Sequence, residues 1–249
     1  MIRLLVSVRS VGEALLVAEG GANFIDLKEP AQGALGGLPE ATIRDIVAAL
    51  RAQSSALPVS ATIGDVPMHE LDEILARVEA VGACGVDIVK VGIERSPAAG
   101  AVLRALAGCG RPLVPVFIAD RGLDERAVSL ALSLGFAGVM VDTADKRAGS
   151  LFEALPPEAL KRFVAMAREA GAMVGVAGAL RRAQAPQIAA LQPDFAGFRS
   201  AVCAGERSGA LDAQRLHELV AAMREAQAAQ ASSRTSPISI DRMRASSAR

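Results

Sequence analysis

The chain has no tryptophan and no tyrosine, and aromatic residues fill only 3% of its 249 positions. Nucleic-acid recognition draws on stacking platforms and a cationic footprint. With a formal net charge of +0 the sequence supplies neither. Its three cysteines, Cys84, Cys109 and Cys203, are too irregularly spaced for a disulfide framework or a zinc site. The two histidines, His69 and His217, fall in helical patterns without ligand-like neighbours, so neither metal nor other cofactor is expected. No apolar run approaches a membrane span, and the hydrophobic opening stretch is too short for a secretory signal. These absences predict a cytoplasmic protein without membrane or nucleic-acid partners, acting on a small polar or anionic molecule. A homo-oligomer is compatible with all of them.

Lysine is scarce too. Of 27 Lys plus Arg, only Lys28, Lys90, Lys146 and Lys161 are lysines. Where a fixed positive charge suffices, this chain uses arginine. Lysine differs in that burial or neighbouring cations can strip its proton, leaving a base or a nucleophile towards carbonyls.

What is present is an apolar content of 51% and a regular alternation of short β-branched runs with helical patterns. Strands are predicted over 2–8, 23–28, 58–63, 86–91, 112–118, 137–142, 172–176 and 194–198, and helices over 11–19, 39–53, 67–83, 97–107, 124–134, 156–170, 180–191 and 212–226. Pro39, Pro67, Pro97 and Pro156-Pro157 suit first helical turns, and Asp124 and Asp212 suit N-caps. Eight such units favour a single α/β domain, a closed (β/α)8 TIM barrel over residues 1–226. An open doubly wound sheet is the alternative, but the first strand lacks the glycine fingerprint of that fold. Residues 227–249, rich in Ala, Gln, Ser and Arg, read as a flexible tail.

In such a barrel the chemistry lies where the strands end. Along Phe24-Ile25-Asp26-Leu27-Lys28-Glu29-Pro30 the period-2 alternation puts Asp26 and Lys28 on one side and Ile25 and Leu27 on the other. Strand four delivers Lys90; strand six delivers Asp142, with Lys146 four residues on. Alternate strands share inward layers, so these groups can meet across one mouth. Crowded lysines would push at least one pKa towards neutrality, with the aspartates holding others charged. Each lysine taken singly could equally be a counter-charge for a phosphate or carboxylate, and Lys161, beside Arg162 in a helix, reads as surface. Asp87, opposite in phase to Lys90, reads as a strand-edge or helix-side hydrogen-bonding group.

Two anion sites are predicted beyond the strands. After strand seven, Val176-Ala177-Gly178-Ala179-Leu180 is expected to turn directly into a helix whose N–H groups hold a phosphate. After strand eight, Arg199 and Ser200 stand at the neighbouring position. The glycine-rich Gly33-Ala34-Leu35-Gly36-Gly37 behind Lys28 reads as a mobile cover, a further anion contact or an ordinary loop.

Asp26-Leu27-Lys28-Glu29-Pro30 with its Gly-Ala-Leu-Gly continuation, Val89-Lys90-Val91-Gly92, Asp142-Thr143-Ala144-Asp145-Lys146 and Gly197-Phe198-Arg199 together resemble (5-formylfuran-3-yl)methyl phosphate synthase, a family of methanofuran biosynthesis. The likeness runs over about residues 1–225. It implies a class I aldolase-like lyase that joins two molecules of glyceraldehyde 3-phosphate without a metal. On matching positions Lys28 would form the Schiff base and Lys90 accept the proton, assisted by Asp26, Asp142 and Lys146, with Gly178, Arg199 and Ser200 contacting phosphate. The family pattern has glycine where this chain has Ser200. The residues alone leave open which lysine reacts. They also leave open a phosphosugar aldolase or isomerase, and a non-catalytic barrel that binds phosphorylated metabolites.

Overall fold

The computed structural model describes residues 1–33 and 35–235. Eight parallel strands close into one barrel in chain order: β1 (Arg3–Val8), β2 (Phe24–Leu27), β3 (Val59–Thr62), β4 (Ile88–Ile93), β5 (Leu113–Ile118), β6 (Gly138–Asp142), β7 (Met173–Val176) and β8 (Phe195–Phe198), with β8 pairing β1. The helices are α1 (Val11–Glu19), α2 (Glu40–Ala52), α3 (Leu71–Gly82), α4 (Ala99–Gly108), α5 (Glu125–Ser133), α6 (Leu151–Ala154), α7 (Pro157–Glu169), α8 (Ala185–Leu191) and α9 (Ala213–Thr235). The predicted (β/α)8 TIM barrel is therefore the fold, and each predicted strand overlaps an observed one. None of these helices is long and apolar enough to cross a membrane.

Strand phase builds two separate apolar layers. Outward residues such as Ile25, Leu27, Val89, Val91, Val139 and Val141 are buried in one large cluster with helix residues Ile43, Ile46, Leu103 and Phe163. Inward residues Leu5, Val116, Met140, Ala177 and Phe195 form a second, smaller cluster inside the barrel. Because inward and outward positions alternate, a one-residue slip in any strand would exchange these layers.

Some helix boundaries differ from the expected ones. Pro157 does open α7, and Asp124 caps α5 by accepting the N–H groups of Arg126 and Ala127. Asp212 likewise accepts the Arg215 N–H. Pro39, however, stands just before α2, and Pro67 forms a turn with Glu70 before α3 begins at Leu71. Pro97 precedes α4 in the same manner, that helix starting at Ala99. The short α6 was not expected, although its Ser150-x-x-Glu153 capping box is written in the sequence.

The segment expected to be a flexible tail begins as helix. α9 continues past residue 226 to Thr235, and Gln227 accepts the Ile2 N–H at 2.6 Å. Leu216, Leu219, Val220 and Met223 are buried and anchor the helix. Once a helix is nucleated, Ala- and Gln-rich sequence propagates it without apolar periodicity. Residues 236–249 lie outside the described part.

Candidate active site

Period 2 in β2 aims Asp26 into the barrel, where it is 1% exposed. Its Oδ1 accepts hydrogen bonds from Ser60 Oγ and Lys90 Nζ, both at 2.7 Å, and its Oδ2 accepts one from Ser7 Oγ at 3.0 Å. A buried carboxylate is tolerated only when so satisfied. β1, β3 and β4 thus each contribute one donor to a charge carried by β2.

Lys28 lies one residue beyond β2, but its N–H still bonds the Val8 carbonyl at 3.0 Å, so the ladder holds its Cα in strand geometry. The side chain runs inward and is buried, and Nζ meets Asp142 Oδ2 at 3.3 Å. Asp142 closes β6; its Oδ1 accepts the Thr143 N–H at 2.7 Å and also binds Lys146 Nζ. Lys146 further donates to the Thr143 carbonyl. Asp120 accepts the Asp145 N–H at 2.7 Å and so fixes the turn that presents Lys146.

Burial alone would raise the Asp142 carboxyl, but Lys146 and Lys28, with the Thr143 N–H, outweigh it and hold the group well below the usual carboxylate range. Lys146 is likewise lowered from the ordinary ammonium value. Burial lowers its pKa, Asp142 opposes that, and Lys28 and Arg207 add repulsion that reinforces it. One rim lysine, Lys146, is thus lowered, but burial is the main cause and repulsion from Lys28 a lesser one.

Asp26, Lys28, Lys90, Asp142, Lys146, Gly178, Arg199 and Ser200 all line one pocket at the C-terminal ends of the strands. The predicted residues are brought together, although they do not all play the predicted part. Arg199 is the exception. Its Nε donates to the Arg207 carbonyl, and its two terminal nitrogens donate to both Glu13 carboxylate oxygens and to the Ser7 and Gly209 carbonyls. All five N–H groups are engaged, and the side chain is only 6% exposed. Arg199 is a strut between α1, β1 and the loop after β8, and no N–H is left for a phosphate.

The turn after β7 also differs from expectation. It does not run straight into an α-helix: a 3-10 turn over Arg182–Gln184 intervenes, and α8 begins only at Ala185, next to Pro186. No α-helix N-terminus therefore follows β7 directly to hold a phosphate there. Gly178 itself is constrained, with φ +115 and a Cβ position 2.9 Å from Thr143 Oγ1, so a side chain would push into the strand-six turn.

Sequence reasoning missed Ser7 and Ser60, although inward-phase serines in otherwise apolar strands were visible. It also missed Arg207, a cation of the same pocket that donates to the Gly33 carbonyl at 3.4 Å, and nothing periodic points to it. Asp87 behaves as read, accepting the Val59 N–H and an Arg51 guanidinium N–H at 2.7 Å each on the helix side.

A closed (β/α)8 barrel with buried lysines and carboxylates gathered at its strand ends defines the class, a TIM-barrel protein of enzyme type. Comparison with known proteins narrows this. The 4-HFC-P synthase family profile matches residues 4–220. A Methylorubrum extorquens protein provisionally named (5-formylfuran-3-yl)methyl phosphate synthase is 38% identical over 223 residues, covering 89% of this chain and 92% of the relative. The (5-formylfuran-3-yl)methyl phosphate synthase of Archaeoglobus fulgidus is 35% identical over 235 residues, covering 89% and 99%. Among solved structures, a phosphoribosyl anthranilate isomerase from Thermus thermophilus superposes with a TM-score of 0.62 at 17% identity over 90% of this chain and 99% of that one, a likeness of fold alone. The chain belongs to the 4-HFC-P synthase family, whose curated members carry the name (5-formylfuran-3-yl)methyl phosphate synthase.

Proposed function

We propose that this chain condenses two molecules of glyceraldehyde 3-phosphate into (5-formylfuran-3-yl)methyl phosphate, with loss of one phosphate and two waters, as a step of methanofuran-type coenzyme biosynthesis. The reaction runs through an iminium on Lys28. The observation that carries this choice is how loosely that amine is held. Among the described residues its one hydrogen bond is the 3.3 Å contact to Asp142, whereas Lys90 sits 2.7 Å from Asp26 and Lys146 is tied to Asp142 and the Thr143 carbonyl. A nucleophile must leave its partner to reach carbon, and Lys28 has the least to break.

In the first step one triose phosphate loses its C2 proton and gains one at C1 to become the ketone, the Lys28 amine adds to that carbonyl, and the oxygen leaves as water. Lys146, whose buried amine is readily neutral, is the base that accepts the proton Lys28 must shed, with ionised Asp142 between them. The iminium draws electrons from the neighbouring C–H, and Lys90, oriented by Asp26, removes that proton to give the enamine. The enamine carbon then bonds to the aldehyde carbon of the second triose, whose oxygen gains a proton. Water releases Lys28, and ring closure with the eliminations completes the furan. Arg207, Ser200 and the backbone around Gly178 contact one phosphate, the role assigned to Arg199 from the sequence passing to Arg207.

Incubating the purified chain with glyceraldehyde 3-phosphate alone tests the reading. The expected outcome is growth of the conjugated-aldehyde ultraviolet absorbance together with inorganic phosphate. A sugar bisphosphate without either would make the chain a plain aldolase, and unchanged substrate would make it a binding barrel.

A further inference from the structure

The mouth beside Lys28 holds about 30 Å³ of free space. That is room for roughly two water molecules, far less than two three-carbon phosphates need. Its walls come from the ends of β1, β2, β6, β7 and β8, with Lys90 the one contribution from β4. The opposite half of the mouth is filled by Leu35. This side chain is only 2% exposed and packs in the inward cluster with Val116 and Met140. One Cδ lies 2.7 Å from the position a Cβ would take on Gly92, two residues beyond Lys90.

A leucine from a polar, glycine-rich loop thus occupies the barrel axis next to the proton-transferring lysine. It is held there by few bonds: Leu35 N–H to Asp65 Oδ1 at 3.1 Å, and the Gly36 carbonyl accepting from Glu29 N–H at 2.8 Å and Thr62 Oγ1 at 3.0 Å. If the loop withdraws with the leucine, the Thr62 hydroxyl and the Glu29 N–H lose the Gly36 carbonyl, and the bare backbone of Gly92 faces the vacated space.

We propose that the volume now filled by the Leu35 side chain, between Lys90, Gly92, Thr62 and Val116, is the binding site of the second carbonyl substrate, a phosphorylated three-carbon aldehyde. Gly92 is glycine to keep that site open. This rests on the two-triose reading above: the first triose is bonded to Lys28 with its phosphate reaching out through the open rim of the mouth, and the second displaces Leu35 towards solvent.

The test separates the two substrates. Full-length protein is treated with glyceraldehyde 3-phosphate and borohydride, the Lys28 adduct is quantified by mass spectrometry, and furan formation is followed in parallel. In Leu35→Trp the adduct should stay within about twofold of wild type while furan formation drops about 100-fold, the scale of a misplaced reactant. Furan formation at the wild-type rate overturns the proposal, as does loss of adduct and product together, which would put the first triose there. The pair Gly92→Ala and Gly92→Ala/Leu35→Ala covers the case in which the tryptophan variant does not fold. The clash with Leu35 destabilises the single variant, and the double variant, freed of that clash, should melt no lower than Leu35→Ala alone yet remain slow in condensation, because its methyl still stands in the substrate site. If rate recovers with stability, Gly92 is merely structural and the proposal fails. Absence of any Lys28 adduct in wild type would instead remove the Lys28 iminium on which the proposal rests.

Discussion

The two ends of the barrel are built from the same strands and share almost no chemistry. At the C-terminal end, inward positions are Ser7, Asp26, Lys28, Lys90 and Asp142, and every buried side-chain nitrogen and oxygen among the described residues has a hydrogen-bond partner. At the N-terminal end the same inward phase gives Leu5, Phe24, Ile88, Val114, Met173 and Phe195 around a cavity of about 310 Å³. The larger void is apolar, with Lys90 and Ser60 at its inner end and Arg111 at its margin. The smaller one holds three lysines, two aspartates and Arg207. Size therefore does not locate the chemistry here. The proposed chemistry follows the convergent polar groups instead, and β2 shows the division within one strand, Phe24 facing the floor and Asp26 the mouth.

Substitutions at the two ends should break along that line. Lys28→Ala should lower furan formation at least about a thousandfold, the scale at which covalent mechanisms lose their nucleophile, with the melting temperature little changed. Asp142→Asn should cost about a hundredfold in turnover by disrupting proton transfer. It should also destabilise by about 3 kcal/mol, since Lys28 and Lys146 lose a shared buried counter-charge. The pH dependence has a definite sign. Asp142 titrates below its ordinary 3.8 in the folded chain, so its stabilisation is complete above that value and is lost as pH falls through the lower folded pKa. In thermal melts the gap between wild type and Asp142→Asn should thus be constant near neutrality and close in acid.

Ser60→Ala removes one of three donors to Asp26 and should slow turnover about tenfold, with Lys90 and Ser7 still holding the carboxylate. At the floor, Phe195→Ala should reverse the pattern. The ring fills the space over Gly175 and meets Phe24 edge-on at 5.7 Å, so its loss should cost about 3–5 kcal/mol while turnover below the melting transition stays within about twofold. A floor variant that abolished activity without unfolding would erase the contrast between the ends.

Most of this contrast could be read from residue order, because strand phase is local. Period 2 is enough to separate Asp26 and Lys28 from Ile25 and Leu27, and the rarity of lysine is enough to single out Lys28, Lys90 and Lys146. What escaped reading depends on contacts distant along the chain. Arg199 is the right residue type at the right strand end, yet Glu13, 186 positions away, claims its guanidinium. Arg207 reaches the mouth from an irregular loop with no phase to betray it. The entry of Leu35 into the barrel axis is visible only once Gly92 is seen to leave room for it. The overlong α9 reflects the opposite limit, where intrinsic helix propensity acts without any core-facing pattern.

Which nitrogen bonds to carbon decides the mechanism. Borohydride reduction of the protein in the presence of glyceraldehyde 3-phosphate, followed by peptide mass spectrometry, reads this directly. The prediction is one triose-phosphate adduct, on the peptide carrying Lys28. An adduct on Lys90 or Lys146 instead, or turnover with no reducible adduct on any lysine, would contradict it.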